Sequence, residues 1–377
     1  MRKHAFVFLN AAIVIAAFIV FRAQAQERTE VVFPNIKGYK TLACDLHTHT
    51  VFSDGVVWPT VRVREAWRNG LDVLSITDHL EYLPHKDDVR PEFNRPYEIA
   101  KPEADNLHLM LIRGVEITRD EPHGHFNAIF LEDCNPINTP EQKDAVRLAN
   151  EQGAFVFWNH PEWKRKDGKA WCGIQQEYHD LGWMHGLEVF NARSYYKNAH
   201  QWALDNDLTL MGTTDIHSPI DEAYDYARGE HRTMTLVFVE AETPEAVKEA
   251  LFAKRTAVFA NNTLVAREEW AAPLFEAAVK LQTTDISLKG KNAFFVPVHN
   301  HSSAFYELEA NGRVRGVSFP GALRLPAGKT VMMRLQGGGG TTSGQEKIVL
   351  PYRVKNILIA PDTYLEIAFE LNVTFCE

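Results

Sequence analysis

The apolar positions of this chain gather in short runs separated by polar stretches of helical periodicity. Thr41 to Asp45, Leu71 to Thr77, Leu109 to Val115, Phe126 to Leu131, Ala154 to Trp158, Leu187 to Phe190 and Leu208 to Thr214 each read as a strand. Between them, Val61 to Asn69, Tyr97 to Asn106, Pro140 to Gly153 and Ala199 to Asn206 read as helices. This alternation predicts an α/β unit built on a parallel sheet. Thr235 to Val239 adds a strand at its margin, and Thr243 caps a helix over Pro244 to Lys254 with Pro at its first position. After residue 262 the pattern changes. A helix over Glu268 to Ala278 leads into alternating runs at Leu281 to Leu288, Ala293 to Val298, Val331 to Leu335, Lys347 to Tyr352 and Leu365 to Val373. These predict a small antiparallel β domain, a sandwich, at 263–377. Gly337 to Gly340 with Thr341 to Ser343 reads as a flexible hairpin connection, and it lacks the Lys-Ser/Thr ending of a phosphate loop.

Five of the strand-like runs in the first unit end in metal-ligand residues. The segments are Asp45-Leu-His47-Thr-His49, Thr77-Asp78-His79, Gly114-Val-Glu116, Asn159-His160-Pro161 and Thr213-Thr-Asp215-Ile-His217. Asp54 follows the first on its loop, and His125 adds a further point in Gly124-His125-Phe126-Asn127. Ligands at the ends of successive strands converge on one face of an α/β barrel, where active sites are built. His47 and His49 are two apart, so both rings of an extended segment point the same way. Asp215 and His217 repeat that spacing. Glu116 can bridge two ions, His125 and His160 can complete the second, and His79 offers a ligand for a third. Imidazole with carboxylate suits Mn, Zn or Fe, and nine ligands exceed what one ion can use, so two or three divalent ions are expected. A second His-x-His, His299 and His301, has no carboxylate nearby and reads as surface.

The N-terminus stands apart from the fold. Met1 to His4 is basic, Ala5 to Phe21 is apolar but for Asn10, and Ala23-Gln24-Ala25 is an A-x-A site. That is the pattern of a cleaved signal peptide, residues 1–25, from which a mature chain outside the cytoplasm, secreted or periplasmic, with no membrane span after cleavage is expected; the alternative is an uncleaved single-span anchor, for which the run is short. The formal charge of −9 argues against a protein held to nucleic acid by a basic surface. Cys44, Cys134, Cys172 and Cys376 form no C-x-x-C pair. Cys44 reads as a small buried hydrophobe. A disulfide is open, and its pairing is not readable. The sequence leaves the oligomeric state undetermined.

The segments Asp45-Leu-His47-Thr-His49-Thr-Val-Phe-Ser-Asp54-Gly, Ile76-Thr-Asp-His79, Gly114-Val-Glu116-Ile, Asn159-His160-Pro and Thr214-Asp215-Ile-His217 resemble, in order, the motifs of the PHP (polymerase and histidinol phosphatase) family. The resemblance covers about residues 40 to 260. It implies a distorted (β/α)7 barrel with a trinuclear centre over 26–262. Val57-Trp58-Pro-Thr-Val-Arg-Val, Leu80-Glu81-Tyr82 and Gly124-His-Phe-Asn-Ala are most similar to exported phosphodiesterases of the Sb-PDE type. Carried over, the resemblance assigns His47, His49, Glu116 and Asp215 to a first ion, Glu116, His125 and His160 to a second, and Asp54, His79 and His217 to a third. Some members carry His where this chain has Asp54 or Gly55.

The activity this implies is hydrolysis of phosphate esters, foremost diesters, by a hydroxide bridging the first two ions, with Glu116, Asp215 and His217 as the catalytic residues. The substrate is a small phosphate ester. Arg193, Arg119 and Tyr82 are the candidates for holding it, with Lys164, Arg228, Trp163, Tyr195 and Tyr196 on loops of the same face. A phosphomonoesterase of the histidinol phosphatase kind would share every ligand. An amidohydrolase-type enzyme also opens on His-x-His, but usually carries a bridging Lys where Glu116 stands. A non-catalytic envelope- or carbohydrate-binding protein is the alternative outside enzymes.

Overall fold

The computed structural model describes residues 27–165, 167–338 and 343–376. The expected signal segment and part of the Gly337 to Ser343 connection lie outside the described residues.

The first unit comprises β1 (Lys40–Asp45), β2 (Val73–Ile76), β3 (Met110–Thr118), β4 (His125–Ile129), β5 (Phe155–Trp158), β6 (Gly186–Asn191), β7 (Ser194–Tyr195), β8 (Thr209–Thr213), β9 (Met234–Val239), β10 (Thr256–Ala260) and β11 (Thr263–Ala266). Helices α1 (Pro59–Arg68), α2 (Arg95–Asn106), α3 (Gln142–Glu151), α4 (Gly173–Asp180), α5 (Lys197–Asp205), α6 (Pro244–Phe252) and α7 (Glu268–Ala278) lie between and after them. The expected strands and helices are present within a few residues of their predicted ends; α4, β7, β10 and β11 are additional. Pro59 and Pro244 occupy helix starts, where their missing N–H costs nothing.

The sheet runs β11-β10-β9-β1-β2-β3-β4-β5-β6, with β8 parallel to β6. Pairs β1–β2, β2–β3 and β5–β6 are parallel, as the alternation predicts. β4 departs from it, lying antiparallel to both β3 and β5. The reason is chain length. Residues 119–124 are too few for a crossover helix, so β4 returns directly beside β3. β9 is likewise antiparallel to β1.

Beyond its last residue, β8 turns toward β1. Thr48 bridges Ile216 in parallel, Asp215 N–H donates to His47 O at 2.9 Å, and His49 N–H donates to Ile216 O at 3.0 Å. Gly212 lets β8 lie close against β10: a Cβ there would lie 2.2 Å from Cγ1 of Val258. Cys44 is fully buried among Leu42, Val73 and Val237, as expected, and burial pushes its thiol pKa up. All four cysteines are free.

The chain then forms β12 (Val279–Leu281), β13 (Asp285–Lys289), β14 (Ala293–Asn300), β15 (Tyr306–Ala310), β16 (Val317–Ser318), β17 (Ala322–Leu325), β18 (Thr330–Gly337), β19 (Gly344–Ala360) and β20 (Thr363–Cys376). One sheet is β12-β14-β18-β16, all antiparallel; β19 and β20 lead the other. Alternating side chains such as Val296, Val298, Met333 and Leu335 pack against Leu350 and Leu371. The antiparallel expectation fails at two pairs, since β13 runs parallel to β20 and β11 parallel to β19. The long β19 reaches past its own domain to β11, so the two units share one continuous sheet. No described helix is long and apolar enough to cross a membrane.

Candidate metal centre

The sheet gathers all nine expected ligand side chains at one end. They form three overlapping groups: His47, His49, Glu116 and Asp215; Glu116, His125 and His160; and His49, Asp54, His79 and His217. Glu116 is shared by the first two groups and His49 by the first and third. Two of the nine sit on left-handed backbone, His160 at φ 29° and Asp215 at φ 51°. Non-glycine residues adopt that region at a cost of about 1–3 kcal/mol each, and such strain collects at functional sites.

Hydrogen bonds aim the rings. His47 Nδ1 donates to Glu188 Oε1 at 2.8 Å, which turns Nε2 inward, 3.0 Å from His49 Nε2, 3.1 Å from Asp215 Oδ1 and 3.3 Å from Glu116 Oε2. His217 Nδ1 donates to the Asp215 carbonyl at 2.7 Å, leaving Nε2 3.1 Å from Asp54 Oδ1. His125 Nδ1 lies 2.8 Å from Glu116 Oε1.

This arrangement fits divalent cations. Electron-pair donors converge on common points: two imidazole nitrogens and two carboxylate oxygens in the first group, in a buried setting where unneutralised charge is costly. Asp54 Oδ1 is buried, and although His217 Nε2 lies 3.1 Å and His79 Nε2 3.4 Å away, neither is angled to hydrogen-bond it. The facing charges also shift how readily several of these groups bind a proton. Burial opposes charge on His47, yet Asp215, Glu188 and Glu116 outweigh it and raise the pKa. Burial likewise opposes charge on His79, but Glu116 and Asp54 carry its pKa up to about 10. His160 and His217 shift upward for the same reason. Against the burial that would raise them, the facing histidines hold Glu116, Asp54 and Asp215 well below the carboxylate range. The buried carboxylates thus favour positive charge at this point of the fold.

A supporting layer escaped sequence reasoning. Glu188 is fully buried on β6. Besides His47 it accepts from His160 N–H at 2.7 Å, Asn191 Nδ2 at 2.9 Å and the Thr213 hydroxyl. Its only sequence signal is a single acid inside the apolar run Gly186-Leu-Glu-Val-Phe. Asp45 accepts from Thr214 N–H at 3.2 Å and from the Thr214 hydroxyl, and pairs with buried Arg232. Asp78 accepts from Thr50 N–H and hydroxyl, both at 2.6 Å, and from Ser53 Oγ at 2.7 Å, which shapes the loop carrying Asp54.

The centre opens into a cleft of about 600 Å³ lined by Tyr82, Trp163, Lys164, Arg119, Glu81 and Asp120 together with six of the nine expected ligand side chains; His47, His49 and Glu116 lie beneath it. Tyr82 is 55% and Trp163 56% exposed, and they flank the histidines: Tyr82 lies 6.0 Å from His79, and Trp163 5.4 Å from His160, between ring centroids. Lys164 sits 4.9 Å over the Trp163 ring, with Asp120 3.9 Å away.

Arg119 reaches the cleft, but its guanidinium is committed to Glu81 and to the carbonyls of Thr118, Thr139 and Pro140. The structure does not bring Arg193 there. It pairs with Glu230 at 2.5 Å and stacks over Tyr224, lining a separate surface hollow. The physical reason is the two-residue strand β7, which with β6 forms a tight hairpin carrying Arg193 at its turn, away from the metal face. Arg228 is exposed and paired with Asp225, and neither Tyr195 nor Tyr196 lines the cleft.

A solved structure of a two-domain protein from Bacteroides vulgatus, containing a predicted PHP-like metal-dependent phosphoesterase, is 40% identical to this chain. The match covers 92% of this chain and 100% of the other, with a TM-score of 0.87. The chain belongs to this family of PHP-like metal-dependent phosphoesterases. A family model described as an Ig-like domain matches residues 279–370, within the C-terminal β unit. An amidohydrolase from Chromobacterium violaceum, solved with bound sulfate and no metal, is 17% identical over 47% of this chain and 88% of its own, at a TM-score of 0.36, a likeness too low to carry an argument. No curated protein matches the chain.

Proposed function

We propose that the chain hydrolyses phosphate esters, with diesters as the preferred class, at a centre of two or three divalent ions. The carrying observation is the convergence of nine ligand side chains into three groups that share Glu116 and His49, under a cleft with little free positive charge. His47, His49, Glu116 and Asp215 would hold one ion, Glu116, His125 and His160 another, and Asp54, His79 and His217 a third. Bound ions would supply Lewis acidity and activate water near neutral pH.

The side chains around them do the rest. Glu188 keeps the His47 proton on Nδ1, and the Asp215 carbonyl keeps that of His217 on Nδ1, so Nε2 of each faces inward. Glu116, Asp215 and His217 thereby act at the reacting centre. Among the described residues lining the cleft, the cations are Arg119, whose donors are spent, and Lys164. A monoester carries about −1.5 to −2 charge at pH 7 and would need more. A diester carries one charge, and its ester groups would meet Tyr82 and Trp163. That balance favours a phosphodiesterase of the Sb-PDE kind over a phosphomonoesterase.

Parallel pairing of β1–β2–β3 and β5–β6–β8, with the Thr48–Ile216 bridge joining the ends, supports a distorted (β/α)7 barrel over 26–262, followed by a β-rich unit over 263–377. The pattern of residues 1–25 supports export. The test is kcat/KM of the Mn-loaded chain on bis(4-nitrophenyl) phosphate against 4-nitrophenyl phosphate. A diester preference of about tenfold, about 1.4 kcal/mol, is expected. A monoester preference refutes the diesterase reading.

A further inference from the structure

The pairs His47/His49 and Asp215/His217 follow β1 and β8, strands that are not neighbours in the sheet, and few backbone bonds join them. β1 and β8 share no ladder. Their extensions meet at one isolated bridge, Thr48 to Ile216, with the hydrogen bonds Asp215 N to His47 O and His49 N to Ile216 O. Asp45 adds bonds to Thr214, and Val56 N–H donates to the His217 carbonyl at 2.9 Å, but neither reaches the His49 backbone or residues 216 and 218.

Arg62 lies on α1, is fully buried, and touches neither the cleft nor any ligand side chain. Its guanidinium spans the gap. Nε and Nη2 donate to the His49 carbonyl at 3.2 and 3.0 Å. Nη2 also reaches the carbonyls of Ile216 at 3.2 Å and His217 at 3.3 Å, and Nη1 that of Ser218 at 3.1 Å. Glu65, one turn on, accepts from Nη1 at 2.5 Å through one oxygen and from Ile220 N–H at 3.0 Å through the other. The ion pair thus grips the segment 216–220 at three carbonyls and one N–H, and ties it to the backbone of His49.

We propose that Arg62, held by Glu65, is a positioning residue for the metal centre: it sets the distance between His49 and the Asp215–His217 segment and thereby the affinity of the ion positions those residues share. A planar five-donor fork is what this task requires, because it addresses two chain segments at once. The compact ammonium of lysine keeps the charge but cannot span both. Groups that orient ligands from behind typically change metal affinity by about 10–100-fold when removed. The group Glu116, His125 and His160 contains no tied residue and shares only Glu116 with the tied set, so its affinity should change least.

This inference rests on the metal reading of the site. The test uses the full chain stripped by a chelator. Mn binding is measured by calorimetry and bound metal is counted after dialysis, for the native chain, Arg62→Lys and Glu65→Gln. The visible spectrum of the Co-loaded forms is recorded alongside. Near-ultraviolet circular dichroism of each metal-free form checks that it is folded, and Glu65→Gln retains Arg62 should Arg62→Lys fail that check. The expected result is at least a tenfold loss of affinity at one class of sites, with another class within threefold of native, and an altered Co spectrum. Native affinity at every class in both variants overturns the proposal, as does an equal loss at all classes. A native chain that binds no divalent ion overturns the metal reading itself, an outcome distinct from both.

Discussion

Glu188→Gln isolates the layer behind the ligands. Both carboxylate oxygens of Glu188 accept: Oε1 from His47 Nδ1 at 2.8 Å and from Thr213, Oε2 from His160 N–H at 2.7 Å and Asn191 Nδ2 at 2.9 Å. Glutamine has nearly the same shape, but one of its ends is an NH2. Whichever way the amide is turned, that NH2 faces donors, either His47 with Thr213 or His160 N–H with Asn191. The substitution therefore removes a charge-assisted bond and leaves a buried donor opposed. Loss of a carboxylate behind a metal-binding histidine weakens metal binding by about 10–100-fold, or about 1.4–2.8 kcal/mol. His47 belongs to the first group and His160 to the second, so both positions should weaken. Competition with a chromophoric chelator gives the affinities, and kcat/KM at saturating Mn shows whether excess metal restores turnover. Native affinity in a folded Glu188→Gln chain would refute the argument that this carboxylate aims the rings.

Gly55→Ala should cost about 1–3 kcal/mol of stability and reduce metal occupancy. Its Cβ would lie 2.6 Å from Thr50 N and 2.7 Å from His49 C, backbone atoms that cannot yield without moving Asp54 or His49; thermal unfolding with metal counting checks it. Trp163→Ala should raise KM for bis(4-nitrophenyl) phosphate by about fivefold, equivalent to about 1 kcal/mol of stacking, with kcat little changed. An unchanged KM would exclude contact with the ester group. Stability should also fall in mild acid through His200, which is fully buried away from the centre beside Tyr195. Burial, aided by nearby Arg267, lowers its pKa from 6.5 to about 4. The neutral form is the folded form, so this contribution is complete above pH 6.5 and is lost as pH falls toward 4, at most about 3 kcal/mol. Urea unfolding at pH 7.5 and 5 should show a smaller pH difference in His200→Gln than in the native chain.

Much of the centre was legible because strand ends and ligand types are both local. His47 and His49 on one face, and the acids and histidines closing five of the seven apolar runs, are properties of spacing and alternation. The cations were not legible. Arg119 and Arg193 have the same sequence appearance, a lone arginine just beyond a strand. One is spent on Glu81 and loop carbonyls, and the other is carried off by a hairpin. Their partners lie 38 and 37 residues away, beyond the reach of any local pattern.

The amino-acid sequence by itself determined the α/β alternation, the change to β structure after residue 262 and the set of nine ligand-type side chains, since each follows from short-range periodicity and side-chain chemistry. Only the tertiary structure decided the antiparallel course of β4, the parallel joints of β11 with β19 and of β13 with β20, and the inward aim of each imidazole. The aim of the imidazoles rests on partners such as Glu188, a buried acid whose bonds to His47 and His160 span 141 and 28 residues, and whose role exists only once burial forces every donor and acceptor to be matched.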